Sequence, residues 1–430
     1  MYDLVKKIIV VALTWEARLV LWRYEPKIVA VTGSMGKTTT KDAIYSALAD
    51  VVHVRKSEKS FNSDIGVPLA ILGLENAWKN PFHWIQNLFV GLWVGIAPQR
   101  YPEWLILEVG ADRPGDISRA AAWLRPTIAV ITGVPEIPVH VEYFPSPEAL
   151  AREKASIARH VRAGGKLVLN GDDSRMVSLC SDFRGMTVKY GFESGNDLQA
   201  SHFEITYESE KPVGVNFRVG HHGSSIPVSV RGALGWPRAY AALAALAVGN
   251  IAGVDEVTIA QALQGWAPPP GRMRILSGLY GSVIIDDTYN SSPAAALSAL
   301  DTLKEVRAKR RIAILGDMLE LGKYSAEAHR NVGKRAADCA DMLWTVGFRS
   351  RATGEAALDA EMPDASIREY EQTESERAGE ELKAELREGD VILIKGSQSM
   401  RMERTVAAIL SEPDRASELL VRQDEEWKRR

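Results

Sequence analysis

The residues best suited to chemistry lie between positions 29 and 44, in the segment VAVTGSMGKTTTKDAI. An apolar run typical of a buried strand leads into a glycine turn, and a helix is predicted to start there. Backbone N–H groups at such a helix start cradle phosphates, Lys37 can reach the β- and γ-phosphate oxygens, and a threonine hydroxyl can bind Mg²⁺. An ordinary glycine-rich turn is the alternative. The strand, the glycines, the lysine and the threonines all have the relative positions of a phosphate-binding loop, which argues against that alternative. The segment therefore predicts a site for ATP and Mg²⁺ formed by Gly33, Ser34, Gly36, Lys37, Thr38 and Thr39.

Acidic side chains stand at the ends of two other apolar strands. Glu108 follows the run WLIL, where an unpaired carboxylate would be costly, so a functional role is predicted for it. Asp286 and Asp287 follow the run SVII, at the end of the strand where open α/β sheets bind ligands. One of these two aspartates can instead cap the next element.

Five further residues each allow two interpretations. Taken alone, His140 is typical of a surface or helix-capping histidine, and Lys154 is typical of a solvated helix lysine. Asn62 and Asn290 are either turn residues or contacts of a peptide substrate. Lys395, in the sequence IKGS, either binds a substrate carboxylate or neutralises a helix end.

Composition excludes several classes of protein. The 430 residues include 46% hydrophobic and 25% charged residues, which excludes a disordered chain, a collagen-like chain or a disulfide scaffold. The net charge of −3 provides no global positive field for nucleic acid, so no nucleic-acid partner is expected. The two cysteines lie far apart without metal-ligand spacing, which favours a reducing compartment and a cytoplasmic location.

The order of elements predicts two main domains. A first domain over 27–266 combines buried parallel strands with the polar–apolar alternation of antiparallel strands at 186–231. WAPPPGR then forms a linker, since three consecutive prolines cannot continue a helix. Strands and helices alternate again over 271–411, as βαβ units on a parallel sheet do. The predicted fold is α/β, a P-loop central ATPase domain followed by a Rossmann-like C-terminal domain, with an amphipathic N-terminal helix at 1–26 and a loosely held, charged tail at 412–430.

The short phosphate loop, with Gly33 only three residues before Gly36, resembles that of the Mur ligase family. Other segments match the family in the same order along roughly residues 27–411. They are KSFNSDIGVPLAIL, LILEVGADRPGDI, HVEYFPSPEALAREK, VLNGDD and the Gly-Arg pair at 271–272. In the C-terminal half, IIDDTYNSSP, ILGDMLELG and IKGSQSMRME are most similar to the MurF-type branch, which joins D-alanyl-D-alanine to UDP-N-acetylmuramoyl-tripeptide.

The resemblance implies an ATP- and Mg²⁺-dependent ligase that forms an amide bond through an acyl phosphate. Its partners would be ATP, a small peptide or amino acid, and a carboxylate precursor of the peptidoglycan type. Lys37, Arg272 and one or two Mg²⁺ ions would neutralise charge during phosphoryl transfer. Thr38 and Glu108 would hold the first metal, and His140 and a carbamylated Lys154 the second. The implied contacts to nucleotide and substrate are Asp287 for ATP and Asn62, Tyr289, Asn290 and Lys395 for the substrates.

Three departures from the family put substrate identity in doubt. Because the phosphate loop begins at Gly33, the preceding residues leave room for one helix instead of a domain that grips a UDP group. The adenine-side segment, usually Gly-x-His-Asn-x-x-Asn, reads GALGWPR here, so Trp236, Arg238 or another residue must meet the base. The stretch 76–101 is predicted to be a helical insertion.

The N-terminal helix and the insertion contain five of the eleven tryptophans, at Trp15, Trp22, Trp78, Trp84 and Trp93. One interpretation is that these helices pack on each other or at a dimer interface. The other is that they contact the inner membrane surface through residues 1–25 and 80–99, which would suit a lipid-linked substrate.

Two alternatives to the peptidoglycan-type ligase remain at this level. An ATP-binding scaffold or regulatory protein is favoured by the altered adenine segment. It is opposed by the intact set of Lys37, Glu108, His140, Lys154, Arg272 and Asp287. The other alternative is a ligase of the same type with a lipid-linked or polyamide acceptor.

Overall fold

A computed structural model describes residues 2–58, 61–78, 80–221 and 223–428. The first residue of the predicted N-terminal helix, two residues of the segment KSFNSDIGVPLAIL, one residue of the predicted insertion and the last two of the tail lie outside the described residues.

The first sheet has nine strands in the order β2-β3-β1-β4-β5-β6-β7-β8-β9. The strands from β2 to β7 run parallel to their neighbours, and β7, β8 and β9 are antiparallel. The mixed parallel and antiparallel sheet predicted for the first domain is therefore confirmed. The strands are β1 (Lys27–Thr32), β2 (Val54–Lys56), β3 (Trp104–Glu108), β4 (Ile128–Ile131), β5 (Lys166–Asn170), β6 (Met186–Gly191), β7 (Leu198–Glu208), β8 (Lys211–His221) and β9 (Ser224–Arg231).

Helices cover both faces of this sheet because successive side chains of its strands point to opposite faces. In β1, Val29 and Val31 belong to one hydrophobic cluster, and Ile28 and Ala30 belong to the other. The helices are α1 (Tyr2–Tyr24), α2 (Lys37–Ala49), α3 (Gly66–Leu72), α4 (Pro81–Ile96), α5 (Asp116–Leu124), α6 (Pro147–Ala155), α7 (Ser174–Leu179), α8 (Trp236–Ala252) and α9 (Glu256–Gln264).

The second sheet has six strands in the order β10-β11-β15-β12-β13-β14, all parallel except the β10–β11 pair. The predicted Rossmann-like C-terminal architecture is confirmed. The strands are β10 (Arg274–Ser277), β11 (Val283–Asp287), β12 (Arg310–Gly316), β13 (Met342–Val346), β14 (Ile367–Tyr370) and β15 (Asp390–Lys395). The helices are α10 (Pro293–Glu305), α11 (Ser325–Cys339), α12 (Arg351–Asp359), α13 (Ser375–Lys383), α14 (Glu403–Ile409), α15 (Ala416–Leu419) and α16 (Glu425–Lys428).

The prediction that the tail is loosely held is wrong. Leu419, Leu420 and Val421 are buried, and the first two belong to the core of the second sheet. The buried guanidinium of Arg422 lies 2.9 Å from a Glu403 carboxylate oxygen. Because the tail is rich in charged residues, its short apolar run from Leu419 to Val421 is inconspicuous in the sequence. Burial of these three side chains is favourable enough to keep the segment packed on the second sheet. The domain boundaries themselves stay a prediction.

Helices α1 and α4 pack closely on each other. A Cβ atom added at Gly91 would lie 2.2 Å from Glu16 Oε2, and one added at Gly95 would lie 2.8 Å from Leu19 Cδ2. Arg23 donates to the carbonyl oxygens of Gly95 and Ile96, at 3.0 and 2.6 Å, and so satisfies the C-terminal end of α4. None of the helices in the described part of the chain combines the length and the apolarity that a bilayer-spanning segment needs.

Glu16 is buried in this contact, and its Oε2 atom has no hydrogen-bond partner among the described residues. Burial raises the pKa of Glu16 to about 7. At pH values between the pKa of Glu16 in the unfolded chain and its pKa in the folded protein, the folded protein therefore binds one more proton than the unfolded chain. The stability contributed by neutral Glu16 is fully present below the unfolded pKa and is lost as the pH rises through the folded pKa.

We predict that Glu16→Gln stabilises the protein at about pH 8 by roughly 1–2 kcal/mol, because the amide keeps the shape of the side chain and cannot ionise. At about pH 4, where the wild-type carboxyl is mostly protonated in both the folded and the unfolded form, the two proteins should have similar stability. Denaturant unfolding of both proteins at the two pH values measures this difference. An equal difference in unfolding free energy at both values would contradict the assignment.

Candidate active site

The phosphate loop joins β1 to α2 and requires glycine at its first position. Gly33 has a φ of +138°, and a Cβ atom there would lie 1.9 Å from the hydroxyl oxygen of Thr132, just after β4. The backbone N–H groups of Ser34 and Met35 donate to the Gly133 carbonyl at 3.1 and 3.2 Å, which fixes the loop against the neighbouring strand. Gly36, with a φ of +75°, then starts α2, whose first-turn N–H groups have no partner within the helix. This is the local structure that binds phosphate.

The carboxylate of Glu108 lies next to this loop because β1 and β3 are paired in parallel, with Val31 opposite Glu108. The Thr38 hydroxyl donates to Glu108 Oε2 at 2.9 Å, and the Asn62 amide donates to Glu108 Oε1 at 2.9 Å. Arg272 Nη2 in turn donates to the Thr38 hydroxyl at 3.2 Å. Four residues predicted from separate parts of the sequence therefore form one network.

This network fits Mg²⁺. Mg²⁺ prefers oxygen ligands and is usually held by one or two protein carboxylates together with substrate phosphates and water. The Thr38 hydroxyl and the buried Glu108 carboxylate supply such ligands beside the phosphate loop. No group of three or more histidine, cysteine, aspartate or glutamate residues that could hold a metal ion occurs in the described ranges. Phosphate oxygens of a bound nucleotide would supply further ligands for Mg²⁺.

Two lysines lie near this carboxylate. Burial lowers the pKa of Lys37, with Glu108 opposing the shift and Arg272 adding to it. Lys154, on α6, is 2% exposed, and burial, followed by the charge of Lys37, lowers its pKa to about 7. Among the described residues no carboxylate lies within 4 Å of the Lys154 ammonium. A buried ammonium in this position is destabilised, which favours its neutral form.

The neighbour of Lys154 on the same helix fixes the position of α6. Glu153 Oε1 accepts hydrogen bonds from the N–H groups of Ile117 and Ser118, at 2.8 and 3.2 Å, and Oε2 accepts one from Gly115 at 2.9 Å. These donors are at the N-terminus of α5, which a carboxylate stabilises. Lys154 is thus held on a helix whose own orientation is set by charge-assisted hydrogen bonds.

His140 lies between two acidic residues that the sequence did not single out. Its Nδ1 lies 2.6 Å from Glu320 Oε2, and its Nε2 lies 3.9 Å from Asp112 Oδ1. The hydrogen bond from His140 holds the pKa of Glu320 below its usual range. The structure shows no direct hydrogen bond between His140 and Lys154, although Asp112 acts electrostatically on Lys154 and also lies near His140.

The second sheet contributes a cluster that lines the same small cavity as the phosphate loop. Lys395 lies opposite Asp287 in the β11–β15 pairing, and its Nζ lies 2.5 Å from Asp287 Oδ2 and 2.9 Å from the Asn290 carbonyl oxygen. The Arg272 guanidinium stacks 3.9 Å from the centre of the Tyr289 ring. A substrate carboxylate at Lys395 would have to compete with Asp287 for the ammonium.

One large and one small cavity are lined by the phosphate loop, and a second large cavity begins at Asn62, which contacts Glu108. A cavity of about 950 Å³ extends from Met35 and Gly36 to Asn170, Tyr190 and Trp236. A small one of about 100 Å³ lies between the phosphate loop and the second sheet; its lining includes Ser34, Thr39, Arg238, Arg272, Asp287, Asn290 and Lys395. A third, of about 1110 Å³, extends from Asn62 and Asp112 along helix α1; its lining includes Lys6, Lys7, Arg18, Arg113 and Arg119.

Of the two residues considered for the adenine base, only Trp236 lines the 950 Å³ cavity. Its ring stacks on Phe203 at 4.3 Å and meets Phe192 edge-on at 4.5 Å between ring centres. Arg238 lines the small cavity instead, and its guanidinium lies 4.2 Å from the centre of the Trp266 ring.

Comparison with known proteins agrees with this geometry. A family model described as the Mur ligase middle domain matches residues 31–85 and 89–249, and one described as the Mur ligase, glutamate ligase domain matches residues 271–398. The UDP-N-acetylmuramoyl-tripeptide–D-alanyl-D-alanine ligase of Bacillus subtilis is 28% identical over 405 residues, covering 94% of this chain and 80% of that protein. The enzyme of the same name from Synechocystis is 29% identical over 392 residues, covering 91% and 76%. Among solved structures, the MurF ligase from Thermotoga maritima in complex with ADP has a TM-score of 0.77 and 25% identity, covering 94% of this chain and 84% of that one.

Proposed function

This chain belongs to the Mur ligase family and is an ATP-dependent acid–amino-acid ligase, and we propose that it acts on a peptidoglycan precursor. The acid would be the terminal carboxylate of a muramoyl peptide, and the amine would come from D-alanyl-D-alanine or a similar small amino compound. The observation that carries the proposal is the hydrogen-bonded network of Thr38, Glu108, Asn62 and Arg272 beside the phosphate loop. Because the reaction consumes ATP, we place it in the cytoplasm.

The proposed reaction has two steps. A carboxylate oxygen attacks the γ-phosphorus of ATP, the bond to the β-phosphate oxygen breaks, and ADP leaves. The amine nitrogen then attacks the acyl carbon of the acyl phosphate, the bond from that carbon to the phosphate oxygen breaks, and a proton leaves the nitrogen. Phosphoryl transfer depends mostly on positioning and charge neutralisation. Bound Mg²⁺ supplies charge neutralisation at the phosphate oxygens.

We propose the following roles for the residues of this site. Lys37 and Arg272 neutralise the phosphate charge, and Thr38 and Glu108 hold the first Mg²⁺. Lys154, converted by CO₂ into a carbamate, and His140 hold the second. Asp287 contacts the nucleotide. Asn62, Tyr289, Asn290 and Lys395 contact the acid or the amine.

The cavities support a division of the substrates. The 950 Å³ cavity begins at the phosphate loop and ends at Trp236, so we assign it to the nucleotide with the base beside that ring. The 1110 Å³ cavity begins at Asn62 and Asp112 and continues along α1, so we assign it to the carboxylate precursor. Its lining includes Lys6, Lys7 and Arg18 of α1, which would attract the phosphate groups of such a precursor.

A screen of acceptor pairs tests the proposal. Phosphate release from ATP is measured with D-alanyl-D-alanine and either a UDP-linked or a lipid-linked muramoyl peptide. We expect release to require both an acid and an amine. A preference for the lipid-linked acid would identify the acceptor and leave the proposed reaction unchanged. If no pair stimulates phosphate release from ATP, the proposed function is contradicted.

A further inference from the structure

Helices α1 and α4 each expose large apolar side chains to solvent. After their mutual contact, each helix still presents large apolar side chains, at steps of three and four residues on α4 and of three, four and seven residues on α1. On α4, Phe82 is 81% exposed and Phe89 is 71% exposed, and on α1 Trp22 is 76% exposed. We call this surface the two-helix face; it consists of Ile8, Val11, Trp15 and Trp22 of α1 and Phe82, Ile85, Phe89, Trp93 and Ile96 of α4. Monomeric proteins rarely expose an apolar patch of this extent without a partner.

The exposed charges that the structure describes on α1 and α4 themselves are of one sign. Lys6, Lys7, Arg18 and Arg23 are exposed on α1, and α4 has no charged residue. Among the residues of the two helices whose side chains the structure describes, no carboxylate is exposed, because Glu16 is buried.

We propose that the two-helix face binds the surface of an anionic phospholipid bilayer. Its apolar and aromatic side chains would enter the boundary between headgroups and acyl chains, and the surrounding cations would attract the headgroups. A second copy of the chain fits less well, since a symmetric dimer brings the same cations of both copies towards one another. Helix α1 also lines the 1110 Å³ cavity, which reaches Asn62 and Asp112. Binding of α1 to a bilayer would therefore place this cavity next to the membrane surface.

Flotation with vesicles of phosphatidylcholine, alone or mixed with phosphatidylglycerol, tests this proposal. We expect the wild type to float with the mixed vesicles and to be released by high salt. The double variant Phe89→Gln/Trp93→Gln should lower the partition coefficient by about tenfold or more. Lys6→Gln/Lys7→Gln should lower it by about tenfold on mixed vesicles only.

Phe348→Gln is the matched control, because Phe348 is 71% exposed, as Phe89 is, but belongs to the second sheet's half of the chain. It should bind vesicles as the wild type does. Thermal unfolding confirms that each variant is folded. A wild type that stays at the bottom of the gradient with both vesicle types would overturn the proposal. So would a dimer in solution that Phe89→Gln/Trp93→Gln dissociates, since a second copy would then occupy the face.

A separate observation concerns Arg238, which is 1% exposed. Its Nε, Nη1 and Nη2 atoms have no hydrogen-bond partner among the described residues. The Ser34 hydroxyl and Arg272 Nε, which belong to residues lining the same 100 Å³ cavity, are also buried without a partner. Burying unpaired donors and a guanidinium charge is costly. Because three such residues line one cavity beside the phosphate loop, we expect a bound anion to accept the hydrogen bonds that their donors lack.

We infer that Arg238 binds the phosphoryl group that is transferred from ATP, an assignment that rests on the proposed function. The sequence resemblance offers no such role, because the matching position of the family segment is an asparagine. A guanidinium can donate two parallel hydrogen bonds to phosphate oxygens. Such a pair of bonds would hold the phosphoryl group in position while it is transferred from ATP to the carboxylate.

Thermal unfolding with Mg²⁺ and either ADP or a non-hydrolysable ATP analogue tests this role. In the wild type, we expect the analogue to stabilise more than ADP does. Arg238→Met should weaken binding of the analogue by about tenfold to a hundredfold and leave ADP binding nearly unchanged. Without nucleotide, this variant should be at least as stable as the wild type, because a buried charge is removed whose only described partner is the Trp266 ring and whose nitrogen atoms have no described hydrogen-bond partner.

Arg422→Met provides the contrast, since Arg422 is buried but paired with Glu403 at 2.9 Å, and its loss should destabilise the protein. If Arg238→Met is destabilised in the same way and keeps the preference for the analogue, the role assigned to Arg238 is wrong while the proposed function stands. If the wild type binds neither nucleotide, the proposed function fails, and the role of Arg238 fails with it.

Discussion

Lys37→Ala is expected to lower kcat by roughly 10²–10³-fold, the usual effect of removing one preorganised group that stabilises developing charge. The lysine is the first residue of α2 and acts electrostatically with Glu108 and Arg272, so it lies at the centre of the network that would hold the γ-phosphate. Arginine in its place keeps the charge but not the compact ammonium, so Lys37→Arg should recover only part of the activity. Steady-state phosphate release with saturating substrates measures both effects.

Lys304→Ala is the control for this prediction, because Lys304 is an exposed residue of α10. It should have wild-type kinetics. ADP should still stabilise Lys37→Ala against thermal unfolding, since other groups of the loop remain, and this separates lost catalysis from lost folding. Turnover of Lys37→Ala within about threefold of the wild type would show that the loop does not work by the charge mechanism.

Lys154→Ala should lower kcat by roughly 10²–10³-fold, because in the proposed site it removes a carbamate oxygen that would hold a metal contributing several kcal/mol to catalysis. The carbamate forms when the neutral amine attacks CO₂ and loses a proton. Burial of Lys154, with no carboxylate of the described residues within 4 Å, favours the neutral amine and so permits this reaction. Added formate or acetate should partly restore turnover, since a short carboxylate can occupy the space that the side chain vacates.

Arg152→Ala is the matched control on the same helix, because Arg152 is exposed while Lys154 is buried. It should neither lose activity nor respond to added carboxylate. Full activity of Lys154→Ala would contradict any role of Lys154 in the site. Two results together would contradict carbamylation. One is a loss of activity in Lys154→Ala that no short carboxylate relieves, and the other is a mass of the intact wild-type protein that shows Lys154 unmodified.

Much of the site was predictable because its residues follow strands and begin a helix. The glycine, lysine and threonine of the phosphate loop have fixed positions relative to β1 and α2, so their chemistry is a local property of the sequence. Glu108 and Asp287 end buried strands, and parallel pairing brings such ends to one edge of a sheet. In the second sheet, strand pairing also places Lys395 opposite Asp287.

Other parts depend on contacts between distant segments, which a single sequence does not encode locally. Glu320 approaches His140 across 180 residues of chain, and no spacing rule relates the two positions. The sequence singled out Arg238 only as a candidate contact of the adenine base, on an alanine-rich helix. A role at the transferred phosphoryl group is suggested only by the burial of its guanidinium without a described hydrogen-bond partner. The burial of Leu419 to Val421 was masked because the surrounding tail is charged.

The central claim is that the acid substrate attacks ATP and forms an acyl phosphate at this site. It is tested most directly with an acid substrate whose carboxylate oxygens are labelled with the heavy isotope of oxygen. If the carboxylate attacks the γ-phosphorus and the amine then displaces phosphate, each phosphate released must contain one labelled oxygen. Mass spectrometry of the phosphate should therefore show label in an amount equal to the amide formed. Amide formation with unlabelled phosphate would contradict the account.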